Sequence, residues 1–220
     1  MAATYKEKTM TGVRSHQRAA TRERILTTAR HLFVNSTFEH VGVREIAAEA
    51  GVATGTVIAS FGSKGDLLNA IVVQDLDVQL SLMEKAVIGN DSTADRISAI
   101  CNACVAYQAN QVSIVRASMA DAWTRSDEAE SRVRAAARPL ISFVVKELER
   151  GVARGEVRLG VNLKLAAQML FDAVVNCYRV SIYGDWKMQE LGPILQERIN
   201  LLMHSVYIQR SLDQDKRAAA

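Results

Sequence analysis

Apolar residues recur along this chain at the spacing of a helix face, interrupted by short polar breaks. Ile25, Ala29, Leu32 and Phe33 stand at i, i+4, i+7 and i+8. They predict a first helix that Thr21 can cap and that Asn35 and Ser36 end. Val43, Ile46, Ala47 and Ala50 repeat the pattern for a second helix. Gly51 closes it, because a left-handed C-cap costs glycine least. A third, short helix is expected from roughly Ala53 to Ser60, within the stretch GVATGTVIASFGSK (Gly51 to Lys64). Its content is unusual. A core helix would carry more leucine, and a loop would not carry Val57, Ile58 and Phe61. Ser63, followed three residues on by Asp66, resembles a capping box and opens a long fourth helix with Leu67, Leu68 and Ile71 inward.

Helical patterns fill the remainder, near 66–87, 93–109, 112–125, 128–154, 162–185 and 189–211. Breaks come at Gly89 to Ser92, Ser126-Asp127, Gly155, Gly160 and Gly184. Pro139 falls inside one segment and predicts a kink or a split. The fold class is therefore all-α. Residues 1–20 read as a flexible basic arm, 21–66 as a compact three-helix unit, 67–212 as a larger helical domain and 213–220 as a polar tail.

Composition adds one asymmetry to this picture. The chain is ordinary for a soluble globular protein, with 49% hydrophobic and 23% charged residues and a net charge of +3. Residues 1–65, however, hold nine Lys/Arg against five acids, while the rest is nearly neutral. That suits a polyanionic partner for the N-terminal part. Met1 to Arg24 has no apolar stretch of signal-peptide length, and no later run is apolar enough to span a bilayer. Three cysteines form no disulfide framework, so a cytoplasmic protein with no membrane partner is expected.

A helix, a glycine turn and a short, thin helix have the spacing of a helix-turn-helix, whose second helix enters the DNA major groove. Small residues let its backbone approach the groove. Its N-terminal N–H groups suit phosphate, and Thr54 and Thr56 bring hydroxyls and methyls to base edges. Arg24-Ile25-Leu26, Ala29, Leu32-Phe33, Val43 to Ala47, Ala50-Gly51-Val52, Gly55-Thr56, Phe61, Ser63-Lys64 and Leu67-Leu68 together resemble the DNA-binding domain of TetR-type regulators. The resemblance covers about a quarter of the chain. It implies that Arg44 and Lys64 hold phosphates, that Thr54, Gly55 and Thr56 lie nearest the bases, and that Ser60 donates one bond. Arginines of the arm (Arg14, Arg18, Arg22, Arg24) would add backbone or minor-groove contacts.

The sequence departs from the family at three positions. The family has tyrosine at position 58, histidine at 60 and often a capping serine at 53; here stand Ile58, Ser60 and Ala53, with Thr54 as the expected substitute cap. Two lost charge-assisted bonds would weaken each half-site by about 3–6 kcal/mol before compensation.

The large C-terminal body leaves room for two tasks. A dimer would rest on the stripes of the last two helices: Ala166, Leu170 and Val174, then Leu191, Leu195, Ile199 and Leu202. By resemblance this homodimer presents two recognition helices one DNA turn apart to a palindromic double-stranded operator. A small-molecule effector of unknown class would sit among Cys104, Tyr107, Met119, Trp123, Phe143, Met169 and Tyr178, since Met and aromatics shape adaptable apolar pockets. No cofactor or metal is expected: Cys101 and Cys104 form a CxxC inside a helical pattern without a second pair, and the histidines are scattered. No catalytic constellation stands out. The expected function is a sequence-specific repressor modulated by its effector. The alternative is a TetR-like ligand- or partner-binding protein that has lost DNA binding.

Overall fold

The computed structural model describes residues 2–183 and 191–207. Nine α-helices occur among them: α1 (Ala2–Asn35), α2 (Val43–Glu49), α3 (Thr54–Phe61), α4 (Lys64–Ala86), α5 (Thr93–Ala109), α6 (Val112–Asp121), α7 (Asp127–Ala153), α8 (Leu163–Tyr183) and α9 (Leu191–Val206). The all-α expectation holds, and the limits of α5 coincide with those read from the pattern. The start of α1 does not. The expected flexible arm of residues 1–20 is helical from Ala2, because that stretch is rich in Ala, Lys, Arg, Glu and Gln and lacks proline. The tail at 213–220 and the break at Gly184 lie outside the described residues.

Helix ends follow from local chemistry. The α2 C-terminus is a Schellman motif, with Val52 N–H bonding Ala47 C=O at 2.9 Å and Gly51 N–H bonding Ala48 C=O at 3.1 Å. It requires Gly51 at φ 63°. Glu45 reaches back to the Gly42 N–H at 3.3 Å and satisfies one orphan donor at the other end. Ser63, Ser92 and Ser126 cap α4, α5 and α7 by accepting the N–H groups of Asp66, Asp95 and Ala129. Pro139 does not split α7, which runs unbroken across it.

Two cores result. The first gathers Ile25, Ala29, Phe33, Ile46, Ala47 and Val57 with Leu67, Leu68 and Ile71 of α4, and is completed by Ile114 and Ala117 of α6. The second lies among α4, α5, α7, α8 and α9. Helix α4 therefore serves both cores and makes the division near residue 66 a shared helix rather than a linker. A buried ion-pair network braces the second unit. Glu147 accepts from Arg96 Nε and from Arg150 Nη1, both at 2.6 Å, while Arg96 also donates to the Val87 and Asn90 carbonyls and so closes the α4–α5 turn.

The dimer stripe needs correcting. Leu170, Val174, Leu191, Leu195 and Ile199 are buried in the chain's own second core and cannot face a partner, and Ala166 and Leu202 are half-buried beside it. The apolar side chains that α8 and α9 present outward are the neighbours Leu165, Met169 and Leu201, the last 76% exposed.

Candidate nucleic-acid interface and ligand cavity

Helix α3 is anchored by two side chains. Val57 is buried in the first core, and Phe61 is half-buried beneath Arg22, whose guanidinium lies 4.0 Å from the ring centroid. The opposite face is open. Thr54, Gly55 and Ala59 are exposed, Ile58 is 44% exposed and Thr56 is half-exposed. At Gly55 φ is not positive, and a Cβ there would meet no atom within 4 Å. Nothing inside the protein demands glycine at that position, so its lack of a side chain serves whatever approaches from outside. Arg44 is exposed in the first turn of α2.

Three expected contacts are arranged differently. Lys64 Nζ lies over the Phe38 ring at 4.3 Å and bonds the carbonyls of Phe38 at 2.8 Å, Val41 at 3.1 Å and Glu39 at 3.4 Å. All three of its donors are thus spent on the α1–α2 turn, not on phosphate. Ser60 Oγ donates to Thr56 C=O at 2.7 Å, so its proton also stays within the chain. Thr54 does not cap α3: Ala53 occupies the cap position, without a side-chain bond. The Arg22 and Arg24 side chains are positioned rather than loose. Arg22 donates to Ser60 C=O at 2.6 Å, and Arg24 to Ala50 C=O at 2.9 Å. Both are held next to the helix-turn-helix, while Arg18 is exposed and the side chain of Arg14 lies outside the described residues.

The second unit holds a partly open cavity of about 420 Å³ between α4, α5, α6, α7 and α8. Of the residues expected around an effector, Cys104, Met119 and Tyr178 line this cavity. Trp123 does not; it is 89% exposed just beyond the end of α6. Phe143 packs against the core without reaching the cavity, and Met169 faces a shallow outer groove between α8 and α9. Tyr107 stands behind the wall, its hydroxyl donating to Asp75 Oδ1 at 2.7 Å. Burial, followed by that bond and the carboxylate charge, pushes its pKa up to about 12. The Cys101 and Cys104 thiols are also raised by burial, Cys104 to about 12, so both remain neutral.

Asp75 and Gln79 are the residues that sequence reasoning missed. Both are buried on the cavity side of α4, in register with Val72, Leu76 and Met83. Polar residues on an otherwise apolar stripe were the available signal. Asp75 Oδ1 also accepts from Arg30 Nη1 at 2.6 Å, and the same nitrogen bonds Gln111 Oε1 at 3.0 Å. Burial raises the Asp75 pKa more than Arg30 and Tyr107 lower it. Arg30 belongs to α1, so a helix of the first core is tied directly to the cavity wall.

Residues 25–71 match the profile of the bacterial regulatory proteins of the tetR family. The chain is 19% identical to the fatty acid metabolism regulator protein of Bacillus subtilis, over 83% of this chain and 94% of that one. It is 23% identical to the HTH-type transcriptional regulator UidR of Escherichia coli K12, over 69% and 76%. The solved structure of FadR from Bacillus subtilis in complex with stearoyl-CoA superposes with a TM-score of 0.68 at 17% identity, covering 80% of this chain and 96% of that one. The structural likeness establishes a shared fold. The family profile falls on the very helices that present α3 outward, so residues 25–71 carry the DNA-binding domain of the tetR family of bacterial regulatory proteins.

Proposed function

We propose that the protein is a homodimeric cytoplasmic repressor. It binds a palindromic operator through α3 of each subunit and is modulated by a small molecule held in the 420 Å³ cavity. The observation that carries this reading is the outward, low-bulk face of α3. Thr54, Gly55 and Thr56 are accessible there while Val57, with Phe61 beside it, locks the helix to the core. The Thr54 and Gly55 amides at the helix start suit phosphate, and the threonines suit base edges. Arg44 supplies the cation that Lys64 does not.

The dimer contact is assigned to the outer face of α8 and α9, around Leu165, Met169 and Leu201. The fatty-acid and acyl-CoA context of the Bacillus relatives agrees with a largely apolar effector. Effector binding acts by preferring one of two arrangements of the two units.

Selection of bound DNA from a random pool, with and without a metabolite extract, tests these points together. Recovery of a two-fold symmetric site whose binding weakens steeply with salt is the expected result. Ser60 and Lys64, both turned inward, favour a second reading in which DNA binding has been lost. Failure to enrich any sequence even at low salt would select it.

A further inference from the structure

The cavity walls restrict what they can hold. Leu76, Met83, Ile100, Leu140, Leu170 and Val174 make most of the surface apolar. Each charged side chain that lines it already has a partner. Asp75 pairs with Arg30 at 2.6 Å. Arg125 pairs with Asp121 at 3.3 Å and Glu130 at 3.5 Å, and Glu130 also pairs with Arg134 at 2.5 Å. A charged ligand deep in the cavity would have to break the buried Asp75 or Arg125 pairs or lie without a counter-ion, and both are costly; the exposed Glu130–Arg134 pair alone would yield at little cost. The remaining polar lining groups, Gln79, Gln108 and Ser118, are neutral.

Two lining side chains keep a buried polar atom without a hydrogen bond: Arg125 Nε, whose charge still faces the carboxylates of Asp121 and Glu130, and the uncharged hydroxyl of Tyr178. Tyr178 is only 6% exposed, yet its hydroxyl has no hydrogen-bond partner. Buried tyrosine hydroxyls ordinarily find one. The nearby thiols of Cys104, Cys101 and Cys177 stay protonated and offer at best weak bonds.

We infer that the effector is an electrically neutral, mainly hydrocarbon molecule with one hydrogen-bond acceptor, such as a ketone or ester carbonyl, placed against the Tyr178 hydroxyl. The inference rests on the cavity being the effector site. It sets this chain's ligand apart from free fatty acids and from amphipathic cations of the same length, which would enter with an unpaired charge.

Four probes of one chain length test it on the intact protein: 2-decanone, decane, decanoate and decylammonium. Affinities are read by displacement of an apolar fluorophore, and operator binding is followed on the same samples. The ketone should bind roughly five- to tenfold more tightly than decane, the gain expected of one buried hydrogen bond. Decanoate and decylammonium should each be at least tenfold weaker than the ketone. Tyr178→Phe should bring the ketone level with decane. A charged probe that equals the ketone, a preference that survives Tyr178→Phe, or no displacement by any probe overturns the inference. If a charged probe binds and releases DNA, the regulator reading stands and only the ligand class falls. If the ketone binds but DNA binding is absent throughout, the ligand class stands and the repressor reading falls.

Discussion

Gly151, on α7, shows how one missing methyl group sets a close approach. A Cβ there would lie 2.5 Å from Thr93 Oγ1 and 2.7 Å from Val157 Cγ2, and both neighbours are buried. Alanine would favour the helix by about 1 kcal/mol, but overpacking of immobile walls costs about 1–3 kcal/mol. Gly151→Ala should therefore lower the midpoint of denaturant unfolding. Beside it, Glu156 Oε2 accepts the Thr93 N–H at 2.7 Å. Burial raises the Glu156 pKa, but the bonds from Thr93 and the charge of Arg154 outweigh it, and the net value lies below the ordinary 4.5. The folded state thus holds this proton less tightly than the unfolded chain. Its stabilisation is full above the ordinary carboxylate range and is lost as pH falls through the lowered value. Acid unfolding of Glu156→Gln, followed by circular dichroism, should show a shallower decline with falling pH than the parent. Neither residue could be singled out from the sequence. Gly151 looks like any helix-interior glycine until α5 is laid across it, and Glu156 is one acid among many until Thr93 arrives from 63 positions away.

At the scale of elements, what was legible is what depends on local chemistry. The Gly51 turn, the Ser63 cap and the limits of α5 follow from side chains within a few positions of one another. Burial partners are another matter. The stripes of α8 and α9 were read correctly as apolar, but periodicity does not say whether a stripe meets its own chain or a second one. The most regular positions went to the chain's own core, and the outward-facing apolar side chains are Leu165, Met169 and Leu201. The same limit applies to Lys64, whose carbonyl partners lie 23 to 26 positions away. The two basic residues should therefore separate in experiment. Arg44→Gln should reduce the slope of log affinity against log salt by about 1 per half-site while leaving the fold stable. Lys64→Met should cost about 1.5–3 kcal/mol of stability, measured by urea unfolding, through loss of charge-assisted bonds.

The whole molecule is two cores joined by shared helices. Helix α6 gives Ile114 and Ala117 to the first core and Val115 and Met119 to surfaces of the second, with Met119 on the cavity. Helix α4 does the same along its length. The proposed dimer contact is tested on the outer face: replacing Leu165 and Met169 together by glutamate should convert a dimer to a monomer in sedimentation. Operator affinity should fall with it, because a half-site alone loses the second subunit's contribution.

Arg30 sits on α1 yet holds Asp75 in the cavity wall, with Gln111 as a third member of the cluster. A genetic screen for strains blind to inducer would therefore collect more than pocket substitutions. On the proposed reading it should return changes at Arg30, which neither lines the cavity nor belongs to the helix-turn-helix, because severing that strut would let the reading head ignore what the chamber contains.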